Sequence, residues 1–539
     1  MPLRKSLTYD EPYYYNSGLA ILSGNSSIRG ADNVNERNIM PFSALNAIVG
    51  GAVPKSIVTK IAGTDPNKMH YSRIYFGRLV TIFASMLLAI LVFIWSQQLY
   101  GTLAAFLSLI IYILDPNIIA HSRLVTQDLF GALTVFLATY CFWLYLKFGD
   151  RKNAVLSMVT FGLAQIARYT AIYLAPNYLI LTLGFYSSAL IKLIKTRKFK
   201  PILSGIKQGI SYSVLLAMTA ILIINIGFSG ERTFTKFGEY KFSSQALSSL
   251  QECSSLLRAI PVPIPYTYLR GLDFGKYKQE TGFGGGITYL NGELGIENGK
   301  PKGFKEYYLL TLLYKVPIAT QIFIVLAIFS LIKYRNQIQF WQNEAFLIVP
   351  PVFYIATFSL ANAQIGVRYI LMIFPFLFVL VGRLARSWNP RQKLYRIGTI
   401  ALISYLAISN FSYFPHYISY FNEILLNRKL NYTLLADSNV DWGQNMMYIK
   451  RYLLQHPEVT KATSGIYGDM GLPPERIFDA SNPQPGLMAI EVNDLVGITT
   501  KPEQFQWIEE NLKPQASVGY NYLIFDIKPE HLQSMLNSK

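Results

Sequence analysis

Apolar blocks recur along this chain at roughly 74–97, 100–115, 128–147, 153–170, 172–194, 207–228, 308–332, 344–361, 366–385 and 395–412. Each runs for about 17 to 25 residues, the length a helix needs to cross the hydrocarbon core of a bilayer. In lipid a spanning segment must satisfy its own backbone polar groups, so such blocks become α-helices. Composition agrees: 51% of residues are hydrophobic and 15% charged, against roughly 25% charged in soluble domains. The pattern predicts an α-helical polytopic membrane protein. The formal net charge of +18 does not indicate a nucleic-acid partner. The basic residues gather in short turns between apolar blocks, as they do in cytoplasmic loops.

Those turns set an orientation. One holds Lys147, Arg151 and Lys152; the next Lys192, Lys195, Arg197, Lys198 and Lys200; then Lys333 and Arg335; then Arg383, Arg386, Arg391, Lys393 and Arg396. If successive blocks alternate in direction, all of these lie on one side, and the positive-inside rule makes that side the cytoplasm. Residues 1–73, 115–127, 229–307, 361–366 and everything after 412 then face outward, to periplasm, cell exterior or ER lumen. The long polar lead before the first block has no apolar signal segment ahead of it. We expect a further span upstream of the sequence as given, lost through a late start codon or trimming. Insertion of the 74–97 block with its N-terminus outward is the alternative.

The outward segments are not simple linkers. Residues 229–307 carry IPVPIPYTYLRGLDF and GFGGG. A loop this long is functional or disordered, and its aromatic content argues against disorder. GFGGG lacks a following Lys-Ser/Thr, so it reads as turn or hinge glycines rather than a phosphate loop. Residues 413–539 contain no span-length block. There NMMYIKRYLLQH reads as an amphipathic helix, GLMAIEVND as a strand, PEQFQWIEENL as a helix from Pro502, and VGYNYLIFDI as a strand. The expected division is a transmembrane domain over 1–412, with external loops 1–73 and 229–307, and a small external α/β domain over 413–539. Cys141 and Cys253 give no disulfide framework, and the histidines show no zinc-ligand spacing. NSS at 25–27 and NYT at 431–433 are N-glycosylation sequons on the outward side.

Ionisable groups near a membrane are costly and are candidates for function. On the outward face these are Asp10, Glu11, His121, Arg123, Asp128, Arg168, Lys315 and Arg368. A carboxylate among fixed cations suits one class of reaction: the carboxylate activates a hydroxyl and the cations stabilise a departing phosphate. Each residue also has a plainer reading. Asp10 and Glu11 suit the first turn of a helix over PYYYNSGLAIL. Arg123, Arg368 and Lys315 suit snorkelling at the interface. Asp128 suits a helix cap. Arg168 is harder to dismiss, because it lies where two apolar blocks meet.

Taken together, these segments resemble the polyprenyl-phosphate-sugar-dependent glycosyltransferases of GT-C fold, and among them the bacterial and archaeal relatives of the protein O-mannosyltransferases. LTYDEPYYYNSGLAILSG is similar to that family's first external loop, where an Asp-Glu pair follows a first span. NERNIMPFSALNAI resembles the segment that usually reads Pro-Pro-Leu, from which Met40-Pro41-Phe42 departs. DPNIIAHSRLVTQD resembles the next external turn, and GLAQIARYTAIYLAP has Arg168 in the place of the family's Lys. The segments IPVPIPYTYLRGLDF, GITYLNGELG, YKVP and NAQIGVRYILMIFPF follow in the family's order, and SYFNEILLNRKLNYTLLADSNVDWGQN resembles the start of an external C-terminal domain.

The resemblance implies a GT-C-like multi-pass enzyme of the cell membrane, mannosyltransferase-like, with its site on the external side. Its partners would be a polyprenyl-phosphate-linked sugar donor, a protein, lipid or glycan acceptor, and membrane lipids, with no nucleic acid. Asp10 would be the general base for a single inverting displacement. Glu11 would position the acceptor or tune Asp10, since adjacent carboxylates raise one another's pKa. Arg123, Arg168, Arg368 and Lys315 would hold the lipid phosphate, with Asp128 beside them. No cofactor is expected, and a divalent metal ion is left open. The rival class is a lipid or solute transporter or flippase, which would carry charges near the midplane and paired broken spans. A scaffold without activity is a third reading. The Asp-Trp-Gly-Gln at 441–444 has no derivable role beyond a sugar-facing or membrane-anchoring Trp442.

Overall fold

The computed structural model describes residues 5–24, 39–197, 199–283, 286–334, 339–386, 393–462, 477–478 and 485–532. The sequon at 25–27, residues 35–38 of NERNIMPFSALNAI, part of GFGGG and the basic residues Lys198, Arg335 and Arg391 lie outside these.

Every apolar block falls on helix. α1 (Asp10–Ser23), α2 (Ser43–Ala52) and α3 (Lys55–Ala62) lead into α4 (Pro66–Tyr100). α4 starts where the Asp65 carboxylate accepts from the backbone N–H of Asn67 and Lys68, with Pro66 in the first turn, where its missing N–H costs nothing. There follow α5 (Thr102–Leu114), α6 (Pro116–His121), α7 (Asp128–Phe148), α8 (Arg151–Ala167), α9 (Leu174–Phe185), α10 (Ser187–Lys195) and α11 (Phe199–Gly227). The segment after α11 folds as α12 (Gln245–Glu252), α13 (Ser255–Ala259) and α14 (Tyr266–Thr281). Two small hairpins come next, β1 (Tyr289–Leu290) with β2 (Glu293–Leu294) and β3 (Ile296–Glu297) with β4 (Lys300–Pro301). The helical part ends with α15 (Tyr307–Lys315), α16 (Ile318–Lys333), α17 (Ala345–Ser359), α18 (Phe374–Arg386) and α19 (Lys393–Phe411). The chain is a polytopic α-helical membrane protein.

The blocks are not equivalent spans. Among the described residues four stretches, α4, α7, α11 and residues 367–385, are long and apolar enough to cross alone, and the bent pairs α9/α10 and α15/α16 raise the number to 6 if each counts as a span. α5 and α17 have 13 and 15 residues, hence about 20 Å at about 1.5 Å per residue, against a core of about 30 Å. The single span expected over 308–332 is corrected to two helices meeting at 116°. Pro317 cannot donate the N–H that a continuing helix needs, and it holds Val316 extended (φ −87°, ψ 131°). α7 lies inside the bundle against α4 and α8, with 72% of its apolar window buried, whereas α11 has 17%. The exposed Leu203, Met218, Leu222 and Ile226 therefore mark α11 as a lipid-facing helix.

After α19 the chain makes 3-10 turns at Tyr417–Ser419, Arg428–Thr433 and Asp437–Asn439, the first and third against the helical part. Asn422 Nδ2 donates to the carbonyls of Leu313 and Val316 at 2.6 and 2.7 Å, at the α15/α16 bend. Asn431 of the second sequon is buried and donates to the Tyr413 hydroxyl, so the folded chain does not offer it for modification. α20 (Met446–Gln455) then leads into a sheet of β5 (Val459–Ala462), β6 (Ile477–Phe478), β7 (Gly486–Glu491), β8 (Ala516–Val518) and β9 (Tyr522–Ile527), ordered β6-β5-β7-β9-β8. β5 runs parallel to β6 and β7, and β9 is antiparallel to β7 and β8. α21 (Val492–Leu495) and α22 (Gln506–Asn511) connect β7 to β8. The strand expected over VGYNYLIFDI is corrected to a hairpin. Gly519 and Tyr520 both take positive φ (66° and 67°) and turn the chain between β8 and β9.

Candidate active site

Asp10 and Glu11 open α1, and the helix turns them apart. Thr8-Tyr9-Asp10-Glu11 forms half of a capping box: the Thr8 N–H donates to Glu11 Oε2 at 2.8 Å. Glu11 then points inward. Arg78 of α4 donates to both its oxygens, Nε to Oε1 at 2.7 Å and Nη2 to Oε2 at 2.6 Å, and the Val125 N–H adds a third donor at 3.0 Å. Both side chains of that pair are 0% exposed. Asp10 lies about 100° further round the helix and keeps 37% of its side chain exposed while accepting from Arg368 Nη1 at 2.8 Å.

Arg368 rides on the 3-10 helix Val367–Ile373. Gly366 leads into it at φ 62°, where a Cβ would fall 2.7 Å from Ser438 Oγ. The close approach and the left-handed backbone both require glycine there. The Arg368 guanidinium carbon lies 3.9 Å from the Trp442 ring centroid, and Nε has no hydrogen-bond partner among the described residues. Arg168 ends α8 in extended conformation. Its side chain crosses α7 at Gly131, where a Cβ would fall 2.7 Å from Arg168 Cδ. Its Nη1 pairs with Asp128 Oδ1 at 2.9 Å and reaches the Arg368 carbonyl at 3.4 Å.

These groups border one pocket of roughly 790 Å³, including its open mouth. Asp128, Arg168, Tyr169, Lys278, Arg368 and Tyr369 are in its wall, with Tyr14 of α1 beside them. Lys278 comes from α14 and rests 4.8 Å from the Phe274 ring. Burial pulls its pKa down to about 8, with Arg368 adding to the effect and Asp10 opposing it. A smaller pocket of roughly 340 Å³ lies on the other side of Tyr169, lined by Ile21, Ile39, Pro41 and Phe228 among others. The first is polar and charged, the second apolar. Among the described residues no group of three or more His, Cys, Asp and Glu side chains is placed to hold a metal ion.

The structure thus brings together Asp10, Asp128, Arg168 and Arg368. It puts the other expected site residues elsewhere. Glu11, expected to position the acceptor or tune Asp10, is closed off by Arg78 and is not among the residues lining the pocket. Arg123 donates from Nη2 to the Pro415 carbonyl at 3.1 Å and lies over Tyr417. Burial and the nearby Arg78 pull its pKa down to about 10, and it is not among the residues lining the pocket. Lys315 is buried at the α15/α16 bend, where Nζ donates to the carbonyls of Ile418 and Asn439 at 2.8 and 2.6 Å. It ties the chain after α19 to the bundle. Asp128 makes no side-chain cap; its carboxylate serves Arg168.

Three contributors escaped the sequence reading. Arg78 stands within an apolar block, where an ionised group is itself a signal. Lys278 lies in a loop rich in other lysines, with nothing to single it out. Trp442 was noted, but its partner is 74 positions away (442 − 368) and invisible in one dimension.

Comparison with known proteins adds one partial match. Residues 70–206 match the family model described as dolichyl-phosphate-mannose-protein mannosyltransferase. That stretch includes Arg78, Arg123, Asp128 and Arg168. No curated protein matches the chain. Crystal structures of ArnT from Cupriavidus metallidurans align with 98% of this chain and 95% of theirs, at 11% identity. The TM-score is 0.44 for the form bound to undecaprenyl phosphate and 0.45 for the apo form. Likeness at that level carries no argument about this chain's site.

Proposed function

We propose that this protein is an integral membrane glycosyltransferase that moves a sugar from a polyprenyl-phosphate carrier to an acceptor hydroxyl at the outward face. The observation that carries this reading is a charged pocket walled by Asp128, Arg168, Lys278 and Arg368, with the partly exposed Asp10 carboxylate paired to Arg368. Two carboxylates, Asp10 and Asp128, stand against three cations there. The excess positive charge favours a bound phosphate and the charge that grows on it as the glycosidic bond breaks. The Arg368 guanidinium and the Lys278 ammonium, both in the pocket wall, are the groups we assign to the phosphate oxygens. The apolar pocket beyond Tyr169 suits the first isoprene units of the carrier. The match of residues 70–206 to the dolichyl-phosphate-mannose-protein mannosyltransferases supports the same donor class.

In this reading Asp10 takes the acceptor's proton as its oxygen attacks the anomeric carbon. The carrier phosphate leaves from the opposite face in one inverting displacement. Glu11 does not touch substrate; with Arg78 it fixes the start of α1 and so the direction of Asp10. A phosphate held by fixed cations needs no metal for this step, and the acceptor remains a protein, lipid or glycan hydroxyl.

One observation favours the rival class. Two bent helix pairs, α9/α10 and α15/α16, occur one in each half of the chain, as broken spans do in transporters. The charged pocket, however, is walled mainly by the start of α7, the end of α8, α14 and the Val367–Ile373 turn, and its lining meets the bent pairs only at Tyr169 and Thr170, where the first one starts. Purified protein incubated with polyprenyl-phosphate-mannose and a panel of hydroxyl acceptors separates the readings. A transferase releases free polyprenyl phosphate and forms a product of inverted anomeric configuration. No release across the panel, with glycoproteins and glycolipids unchanged by mass spectrometry in cells lacking the gene, would overturn the proposal.

A further inference from the structure

The Asp-Trp-Gly-Gln loop at 441–444 touches Arg368 and the residue that precedes its partner Asp10. On one side the Trp442 carbonyl accepts from the Tyr9 N–H at 3.1 Å, one residue before Asp10. On the other the Trp442 indole lies against the Arg368 guanidinium at 3.9 Å. Trp442 is 4% exposed, so it is a wall, not a surface anchor.

The loop is itself held at each position. Asp441 Oδ1 accepts from the Gly443 N–H at 3.0 Å and from Asn521 Nδ2 at 2.7 Å. The Trp442 N–H donates to Gln444 Oε1 at 2.6 Å, and Gln444 Nε2 donates to the Val440 carbonyl at 2.9 Å. Asn521 belongs to the β8–β9 turn. Tyr9 OH also donates to Glu491 Oε1 at 3.1 Å, at the end of β7. The motif thus connects the C-terminal sheet to the two groups that would do the chemistry.

We propose that Trp442 is a positioning residue for the transfer, an inference that rests on the transferase reading. By packing against the guanidinium it keeps Arg368 directed into the pocket when a phosphate competes with Asp10 for it. Through Tyr9 the same loop sets the entry of α1 and hence Asp10. The segment after α19, sheet included, is then a working part of the site and not an appended module.

A double-mutant cycle in the full-length purified protein tests this. The variants are Trp442→Leu, Trp442→Phe, Arg368→Lys and the Trp442→Leu/Arg368→Lys double. The readouts are the thermal midpoint and the kcat and KM for polyprenyl-phosphate-mannose. Trp442→Leu should lower kcat/KM by about 2- to 30-fold, the span of a cation–π contact from exposed to desolvated. Trp442→Phe should restore most of it, because an aromatic face returns. In the Arg368→Lys background the leucine change should cost little further in either readout, because lysine cannot lie flat on the ring. Full additivity in the thermal cycle, or failure of phenylalanine to rescue, overturns the inference. A wild type that never consumes the donor removes the transferase reading instead, and the thermal cycle still decides whether Trp442 and Arg368 act as a pair.

Discussion

Two adjacent carboxylates, each paired with an arginine, end up in opposite circumstances. Glu11 and Arg78 are sealed from solvent, with both carboxylate oxygens taken by the guanidinium and further backbone donors added. Asp10 and Arg368 share a single contact at 2.8 Å, and the aspartate stays partly exposed beside a charged pocket. A saturated buried pair has nothing left to offer a substrate; its desolvated charges are tolerable only because each satisfies the other. An open pair can exchange partners. The first closes the start of α1 and the second is the pair to which we assign the chemistry, although the carboxylates are consecutive in sequence.

The largest effect should come from breaking the open member. Asp10→Asn keeps the size of the side chain but cannot serve as a base. Turnover per folded molecule should fall by about 10²–10⁴, with an unchanged elution profile in detergent size-exclusion chromatography. Turnover near wild type would remove Asp10 from the chemistry. Breaking the closed member should do the reverse. Glu11→Ala leaves a buried arginine uncompensated and should lose about 3–5 kcal/mol of stability, read as a lowered thermal midpoint and a smaller folded fraction. If Glu11→Ala instead stays fully folded and loses turnover alone, the two residues have been assigned the wrong way round.

Smaller changes sharpen the contrast at the pocket. Lys278→Ala removes a cation with no carboxylate of its own and should weaken donor affinity by about 10- to 100-fold, the cost of one hydrogen bond to a charged group. Its stability should barely change. An equilibrium titration with a polyprenyl monophosphate measures this, and unaltered affinity would take Lys278 out of the site. The smallest effect is a pH dependence. With its pKa pulled down to about 8, Lys278 is charged below that value and loses its charge as pH rises through it. Affinity for the monophosphate should therefore fall several-fold between about pH 7 and 9, and in Lys278→Ala that fall should be absent.

Much of this was legible beforehand, for identifiable reasons. The helices followed from block length, because lipid leaves a backbone few alternatives. Asp10, Asp128, Arg168 and Arg368 stood out because ionised groups at span ends are rare and costly. Arg123 and Lys315 satisfied the same criterion and proved to bind backbone carbonyls away from the pocket. A cation at an interface seeks any acceptor, and the primary sequence does not say whether that acceptor is a ligand or a carbonyl. The helix-start reading of Asp10 and Glu11 holds, but Glu11 does not reach the pocket as an acceptor-positioning residue would, because a helix separates neighbours by about 100°.

By itself, then, the sequence determined that this chain crosses a membrane as helices, that ionised groups collect at the ends of apolar blocks, and that a small α/β unit follows. These depend on composition and period over short windows, where local physics suffices. Only the tertiary structure decided which of the two carboxylates is sealed and which stays partly exposed, that Lys278 comes in from α14, and that Trp442 reaches back to Arg368. Those are contacts between residues far apart in the chain. Their selection depends on how whole helices turn and pack, which no local pattern encodes.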